Sequence, residues 1–354
     1  MDHPREGGLL ESPLKPTPEF QLEFLNKLRR LFSEGDFTAT YKFALLIALA
    51  DLSVERGKDD DSTLQLSFRA IGLKFIQLYW QQAAPYKGDE ALLQNQGPQA
   101  AVIKAIAEYR RKYPSLHTDQ SSTDFKKLLT AISAIVKTQP IQYIQNLGGG
   151  KSVFLFDSGS DGITLLPGVA YCLRRFQPLV QQLSRSHWID HIKGNRLNSH
   201  LLGQDHDLES FLFETSRQAL TVVSTGLRKI TNRCHYCGQP VKEADVDHFI
   251  PRSLYPRDLI HNFVLAHPSC NRSKSDTLAA KQHLENWIEF VNKNTDNLSQ
   301  IGYEAGIVSD LASTNSVARW GYANAVSGGA HGWIKASQYE AIDESYLSSL
   351  AGAS

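Results

Sequence analysis

Apolar residues recur at helical spacing through most of the first 140 positions. Phe20, Phe24, Leu25, Leu28, Leu31 and Phe32 fall on one face of a first helix, and after Gly35 and Asp36 residues 41–55 form a second, more apolar one. A third helix is predicted over 64–80, behind the acidic turn 58–61, and a linker rich in Gln, Gly and Pro follows at about 85–97. Residues 100–113, stopped by Pro114, and 124–138, stopped by Pro140, complete a helical region without an internal repeat. The pattern then changes. Short apolar runs at 152–156 and 163–166 flank the turn 157–162 and read as a β-hairpin. Helical periodicity returns over 169–191 and 208–230. Residues 246–251 alternate apolar and polar into Pro251, which predicts a short strand. Leu278, Leu284, Trp287, Ile288 and Val291 then predict a helix over 272–291. Beyond it the chain turns polar and then small-residue rich, through 327–330 to Ser354, with Trp320, Tyr322, Trp333 and Tyr339 expected to pack back on the body. The fold class is mainly α with a small β-hairpin.

With 354 residues and 42% apolar content, the chain can bury two modest cores. The polar start 1–18 shows no signal peptide, and the apolar stretch 43–52 is too short to span a membrane. A cytoplasmic location with no membrane partner is therefore expected. Total charge balances at 37 basic and 37 acidic residues, so the protein is no polycation. Residues 228–281 nevertheless hold nine basic against five acidic side chains, an excess of four and a modest footprint for nucleic acid. Arg174, Arg175, Arg185, Lys193 and Arg196 make the middle segment basic, either to track a DNA backbone or as a solvated helix face. Three tempting patterns carry no chemistry. Residues 148–152 have Gln145 where a phosphate loop starts with Gly, the 157–162 turn has Gly168 where a calcium loop needs Glu, and no Glu follows His187 to make a metalloprotease pair with His191.

Cys234 and Cys237 form a C-x2-C pair, and His267 with Cys270 an H-x2-C pair about thirty residues later. A two-residue gap turns both members of a pair inward on one knuckle, and two such pairs complete the tetrahedral set that Zn2+ prefers. Four protein ligands leave no position open for water, so this zinc is structural. Cys172, the remaining cysteine, has no partner for a disulfide. His235, between the first two ligands, is read as exposed.

Between the pairs, the predicted strand brings Asp247 and His248 toward Asn271, which follows the last zinc ligand. Such a cluster offers an oxygen pair to a hard cation and an imidazole to a water. V-D-H-x-x-P at 246–251, the central Asn262 and C-N-R-S-K at 270–274 resemble the HNH endonucleases of the ββα-metal, or His-Me finger, group. The likeness covers residues 231–285. The intervals from Asp247 to Asn262 and to Asn271 are similar to those in the HNH domain of RNA-guided CRISPR effector nucleases, and the zinc knuckles resemble those of free-standing bacterial enzymes. His267 stands where those relatives usually have Cys.

The resemblance implies a ββα-metal (HNH) nuclease near the C-terminus that hydrolyses DNA phosphodiester bonds. Asp247 and Asn271 would hold one Mg2+ or Mn2+, His248 would take a proton from the attacking water, and Asn262 would orient His248 through the loop it anchors. Arg272, Lys274 and Arg252 would meet the nucleic acid. It divides the chain into a helical region 1–145, a hairpin with helices at 146–228 possibly continuous with it, the nuclease domain 229–295 and a C-terminal extension 296–354. A zinc-stabilised DNA-binding module without cleavage, or an RNA-cleaving enzyme, are the alternatives. Defence against foreign DNA follows by analogy alone. Residues 1 to about 225 are expected to govern where or when the nuclease acts, by binding DNA, a partner protein or a second copy of the chain; the alternative is a scaffold that completes the HNH core.

Overall fold

Residues 41–56 are apolar on nearly every side, and a helix of that kind is stable only when surrounded. In the computed structural model, which describes residues 14–116, 122–202 and 208–351, α1 (Pro18–Glu34) precedes α2 (Tyr41–Arg56). Every residue of α2 from Tyr41 to Glu55 is buried. The polar start of the chain and its last three residues lie outside the described residues. Strand β1 (Leu64–Ser67) leads into α3 (Phe68–Tyr79), and α4 (Ala101–Lys112), α5 (Thr123–Thr138) and the one-turn α6 (Pro140–Tyr143) follow. A two-residue hairpin, β2 (Asn146–Leu147) with β3 (Gly150–Lys151), turns through Gly148 and Gly149, both at positive φ. The larger hairpin is β4 (Phe156–Ser158) with β5 (Gly162–Leu165), and α7 (Val169–Arg175) and α8 (Gln177–Gly194) come after it. α3, α6, α7 and α8 pack around α2, while α4 and α5 pack with α3.

A second core is built from residues between Val223 and Leu350, with Val54 of α2 reaching into it. α9 (Leu208–Phe213) and α10 (Arg217–Ile230) lead into it, and Ser216 caps α10 by accepting from the Ala219 N–H at 3.2 Å. Strand β6 (Asp245–His248) pairs antiparallel with β7 (Phe263–Ala266), and α11 (Pro268–Lys274) follows directly. The chain then forms α12 (Lys281–Ala305), α13 (Leu311–Ser327), the hairpin β8 (His331–Lys335) with β9 (Gln338–Ala341), and α14 (Glu344–Ala351). Trp320, Tyr322, Trp333 and Tyr346 from these last elements are buried in the second core. α13 also packs on α2, where the Trp320 indole donates to the Arg174 carbonyl at 3.2 Å, so the C-terminal segment joins the two bodies.

Several sequence-based expectations change. The helix predicted over 64–80 starts as β1, because Leu64 and Leu66 pair with Leu165 and Ile163 in a β1-β5-β4 sheet and Ser67 caps the helix at Ala70. Residues 152–155 are not a strand. The Gln145 side chain takes up the N–H groups of Phe154 and Leu155, both at 2.9 Å, in place of a neighbouring strand. The helix expected over 169–191 breaks at Phe176, ahead of Pro178, and the one over 208–230 breaks before Ser216. The helix expected over 272–291 is two, α11 and α12, separated at Ser275, whose φ of 48° and ψ of −132° fall where only glycine is at ease. Tyr339 is exposed, unlike the other three aromatics expected to pack.

The basic middle segment is not a uniform DNA track. Arg174 is buried, with its guanidinium on Asp59 at 2.9 Å and on the Ser53 and Val54 carbonyls. Arg185 lies over the Phe213 ring and donates to the Pro256 carbonyl at 3.2 Å. His187 stacks on Phe32 at 4.7 Å and His191 meets Phe43 edge-on at 6.2 Å, as packed histidines rather than a metal pair. Among the described residues, no helix is long and apolar enough to cross a membrane.

Candidate metal centre and active site

Cys234, Cys237, His267 and Cys270 present donor atoms that all lie within 4.8 Å of one another. The first knuckle closes through backbone bonds: Gly238 N–H donates to the Cys234 carbonyl at 2.9 Å, and Gly238 takes a positive φ of 69°. Pro268 at the start of α11 fixes the second pair at a helix N-terminus. His267 shows which nitrogen faces a metal. Its Nε2 lies 3.1 Å from the Pro240 carbonyl, which makes it the N–H, and its Nδ1 lies 3.2 Å from the Cys237 sulfur among the other donors. Backbone N–H groups of Cys237, His267 and Tyr236 point at Cys234 and outweigh its burial, lowering its pKa toward the thiolate that a metal needs. The cluster fits structural zinc.

His235 is not exposed as expected. Its ring packs edge-on against Tyr236, Phe249 and Phe290, and burial lowers its pKa to about 4. Tyr236, in the same knuckle, is buried and donates its hydroxyl to Asp247 Oδ2 at 2.5 Å. The knuckle is thereby tied directly to the carboxylate at the candidate catalytic centre.

That centre lies at the end of the β6-β7 pair. Asp245 and Asp247 share a face of β6, and α11 crosses it, so that Asp247, His248, Asn271 and Arg272 line one cleft of about 230 Å³. Asn271 donates through Nδ2 to Asp245 at 3.1 Å. Among the described residues, no hydrogen bond takes Asp247 Oδ1 or Asn271 Oδ1. A carboxylate and an amide side chain lining one cleft offer the oxygen donors that a hard divalent cation takes, so these residues fit Mg2+ or Mn2+.

Lys274 does not meet a phosphate as expected. It is fully buried at the end of α11, 3.1 Å from Asp247 Oδ2, and donates to the His248 carbonyl at 2.9 Å. Removing one partner of such a pair strands the other charge in the interior. Lys274→Ala is therefore expected to lower unfolding free energy by about 3 kcal/mol in a urea titration. Arg252 is also engaged already, at 2.7 Å from the Phe213 carbonyl and 3.5 Å from Glu214. Arg272 is exposed in the cleft with no ion pair among the described residues.

Asn262 is buried, and its side chain bonds both backbone groups of Ile250, accepting from the N–H at 2.7 Å and donating to the carbonyl at 2.9 Å. With the Phe249 N–H on its own carbonyl, it pins the turn that leaves His248. The imidazole has a further partner that the sequence did not suggest. His248 Nε2 lies 2.5 Å from Asp258 Oδ1, and Thr215 donates to the other oxygen of that carboxylate. Burial alone would raise the pKa of Asp258, but the hydrogen bond and charge of His248, with Arg252 and Thr215, hold it at about 2. Nothing in the periodicity marks Asp258, a lone acid in the loop 251–258. Tyr236 and Asp245 were equally silent.

A family model described as a domain of unknown function (DUF8808) matches residues 21–212, more than half of the chain. A second, described as HNH endonuclease, matches residues 234–277, the segment holding the zinc cluster, Asp247, His248 and Asn271. No curated protein and no solved structure matches the chain.

Proposed function

We propose, from the premise that the chain belongs to the DUF8808 family and carries a zinc-binding HNH endonuclease domain, that it is a metal-dependent DNA endonuclease. An HNH domain supports a nuclease-type function in general. The observation that carries the narrower reading is the meeting of Asp247, His248, Asn271 and Arg272 in one cleft, with two oxygens uncommitted. A module that only bound DNA would have no use for that set.

Asp247 and Asn271 would hold the Mg2+ or Mn2+, which when bound supplies a Lewis acid to the phosphate oxygens. Tyr236 and Lys274 hold the Asp247 carboxylate through Oδ2, and among the described residues its Oδ1 takes no hydrogen bond. His248 in its neutral form donates Nε2–H to Asp258, which leaves the Nδ1 lone pair to accept a proton from water. Asn262 holds the turn after His248 and so limits where the ring can sit. Arg272 supplies a positive charge to the phosphate. One such centre cuts one strand, so a double-strand break takes two copies or two successive nicks.

Purified protein incubated with supercoiled plasmid is expected to yield open circles with Mg2+ or Mn2+ and none with excess chelator. Intact plasmid under every divalent cation overturns the reading, and cleavage confined to RNA moves the substrate to RNA.

A further inference from the structure

The loop 251–258 leaves the nuclease strand β6 and is strapped to the helical body over its whole length. Tyr255 donates to Glu55 at 2.5 Å, and Arg257 reaches Asp51 at 2.8 Å and Gln181 at 3.0 Å. Arg185 binds the Pro256 carbonyl, and Arg252 binds the Phe213 carbonyl. Asp51 and Glu55 lie on the buried helix α2, some two hundred residues away in sequence, and Glu55 is shared with Lys74 at 2.5 Å. Buried charge pairs of this kind add little net stability over apolar packing, but they fix geometry, because a displaced strap would leave several charges unpaired. At the end of the strap stands Asp258. One oxygen meets His248 and the other meets Thr215, which lies between α9 and α10 where the two cores join.

We propose that Asp258 is a positioning residue for His248, and that the DUF8808 body governs the nuclease by holding the strap that carries Asp258. The inference rests on His248 being the proton acceptor. Asp258 selects the tautomer with the proton on Nε2 and points Nδ1 away from itself. The helical body holds the strap through Asp51 and Glu55, and Thr215, just beyond that body, holds the carboxylate itself, so together they decide whether it is within reach. A shift of the body against the nuclease core would release the imidazole while Asp247 and Asn271 keep their partners within that core.

The test is long-range 1H–15N NMR of the full chain labelled on histidine nitrogens, with His248 assigned by its loss in His248→Ala. The wild type is expected to show His248 protonated on Nε2. Asp258→Asn, Thr215→Val and Tyr255→Phe, which removes the bond to Glu55, should each move that signature toward a mixture of tautomers, and Thr215→Ser should keep it as in the wild type. Plasmid nicking should fall about 10- to 100-fold in Asp258→Asn, as when a group holding a functional histidine is removed. Should Asp258→Asn not fold, Thr215→Val, which removes one hydroxyl from a half-buried site, carries the test alone. His248 signals unchanged in the folded variants overturn the positioning role. A Tyr255→Phe spectrum identical to wild type, beside a shifted Asp258→Asn spectrum, overturns control by the body. A wild type that shows the signature and cuts nothing defeats the nuclease reading instead.

Discussion

His248→Ala protein is expected to nick supercoiled plasmid at least about 100-fold more slowly than the wild-type chain, the usual cost of losing a positioned proton acceptor. The fold should survive. His248 is at the edge of the sheet with its side chain 19% exposed, its ring rests on Phe263 at 4.5 Å, and its loss leaves Asp258 still bonded to Thr215 and 3.8 Å from Arg252. The zinc cluster and the Asn262 clamp use other atoms. Circular dichroism and zinc content should therefore match wild type, which separates a chemical defect from unfolding. Equal nicking rates would remove His248 from the mechanism. Asp247→Ala and Asn271→Ala should act differently, by raising the Mg2+ concentration needed for half-maximal rate.

Purified protein is expected to hold about one zinc per chain, and stripping it should unfold the second core while the first persists. The magnitude is large because four ligands meet where little else holds the knuckles: apparent zinc affinities in small metal-folded modules reach about 10 to 16 kcal/mol. Cys237 is exposed, and the turn 234–240 is closed by a few backbone bonds, so that without metal the three thiols would face one another with nothing between them. Tyr236 would lose its place and with it the hydrogen bond to Asp247. Hydrogen exchange should show protection lost over residues 231–285 on strong chelation, with α2 and α3 still protected within their own core. His267→Cys should keep the metal, since a thiolate is an equal donor at that position. Folded, active protein that contains no zinc would refute the four-ligand site.

Sequence alone marked the zinc cluster and the residues of the candidate cleft, because metal ligands are constrained by spacing. C-x2-C and H-x2-C must fold into knuckles to share a metal, and the strand expected over 246–251, which in the structure is β6 and ends at His248, carries Asp247 and His248 together. Periodicity likewise marked α1, α2, α4 and α5, whose apolar faces repeat every third or fourth residue. It failed where satisfaction of backbone groups comes from afar: β1 looks helical until β5 pairs with it, and 152–155 look like a strand until Gln145 takes their N–H groups. It failed also for charge. Lys274 reads as a phosphate contact two residues beyond the exposed Arg272, yet α11 turns it inward onto Asp247. Asp51, Glu55, Tyr255 and Arg257 look like ordinary polar positions on a helix and in a loop. Only tertiary contact pairs them across the junction and brings Asp258 to His248, since a carboxylate's partner is set by three-dimensional proximity and leaves no period in the chain.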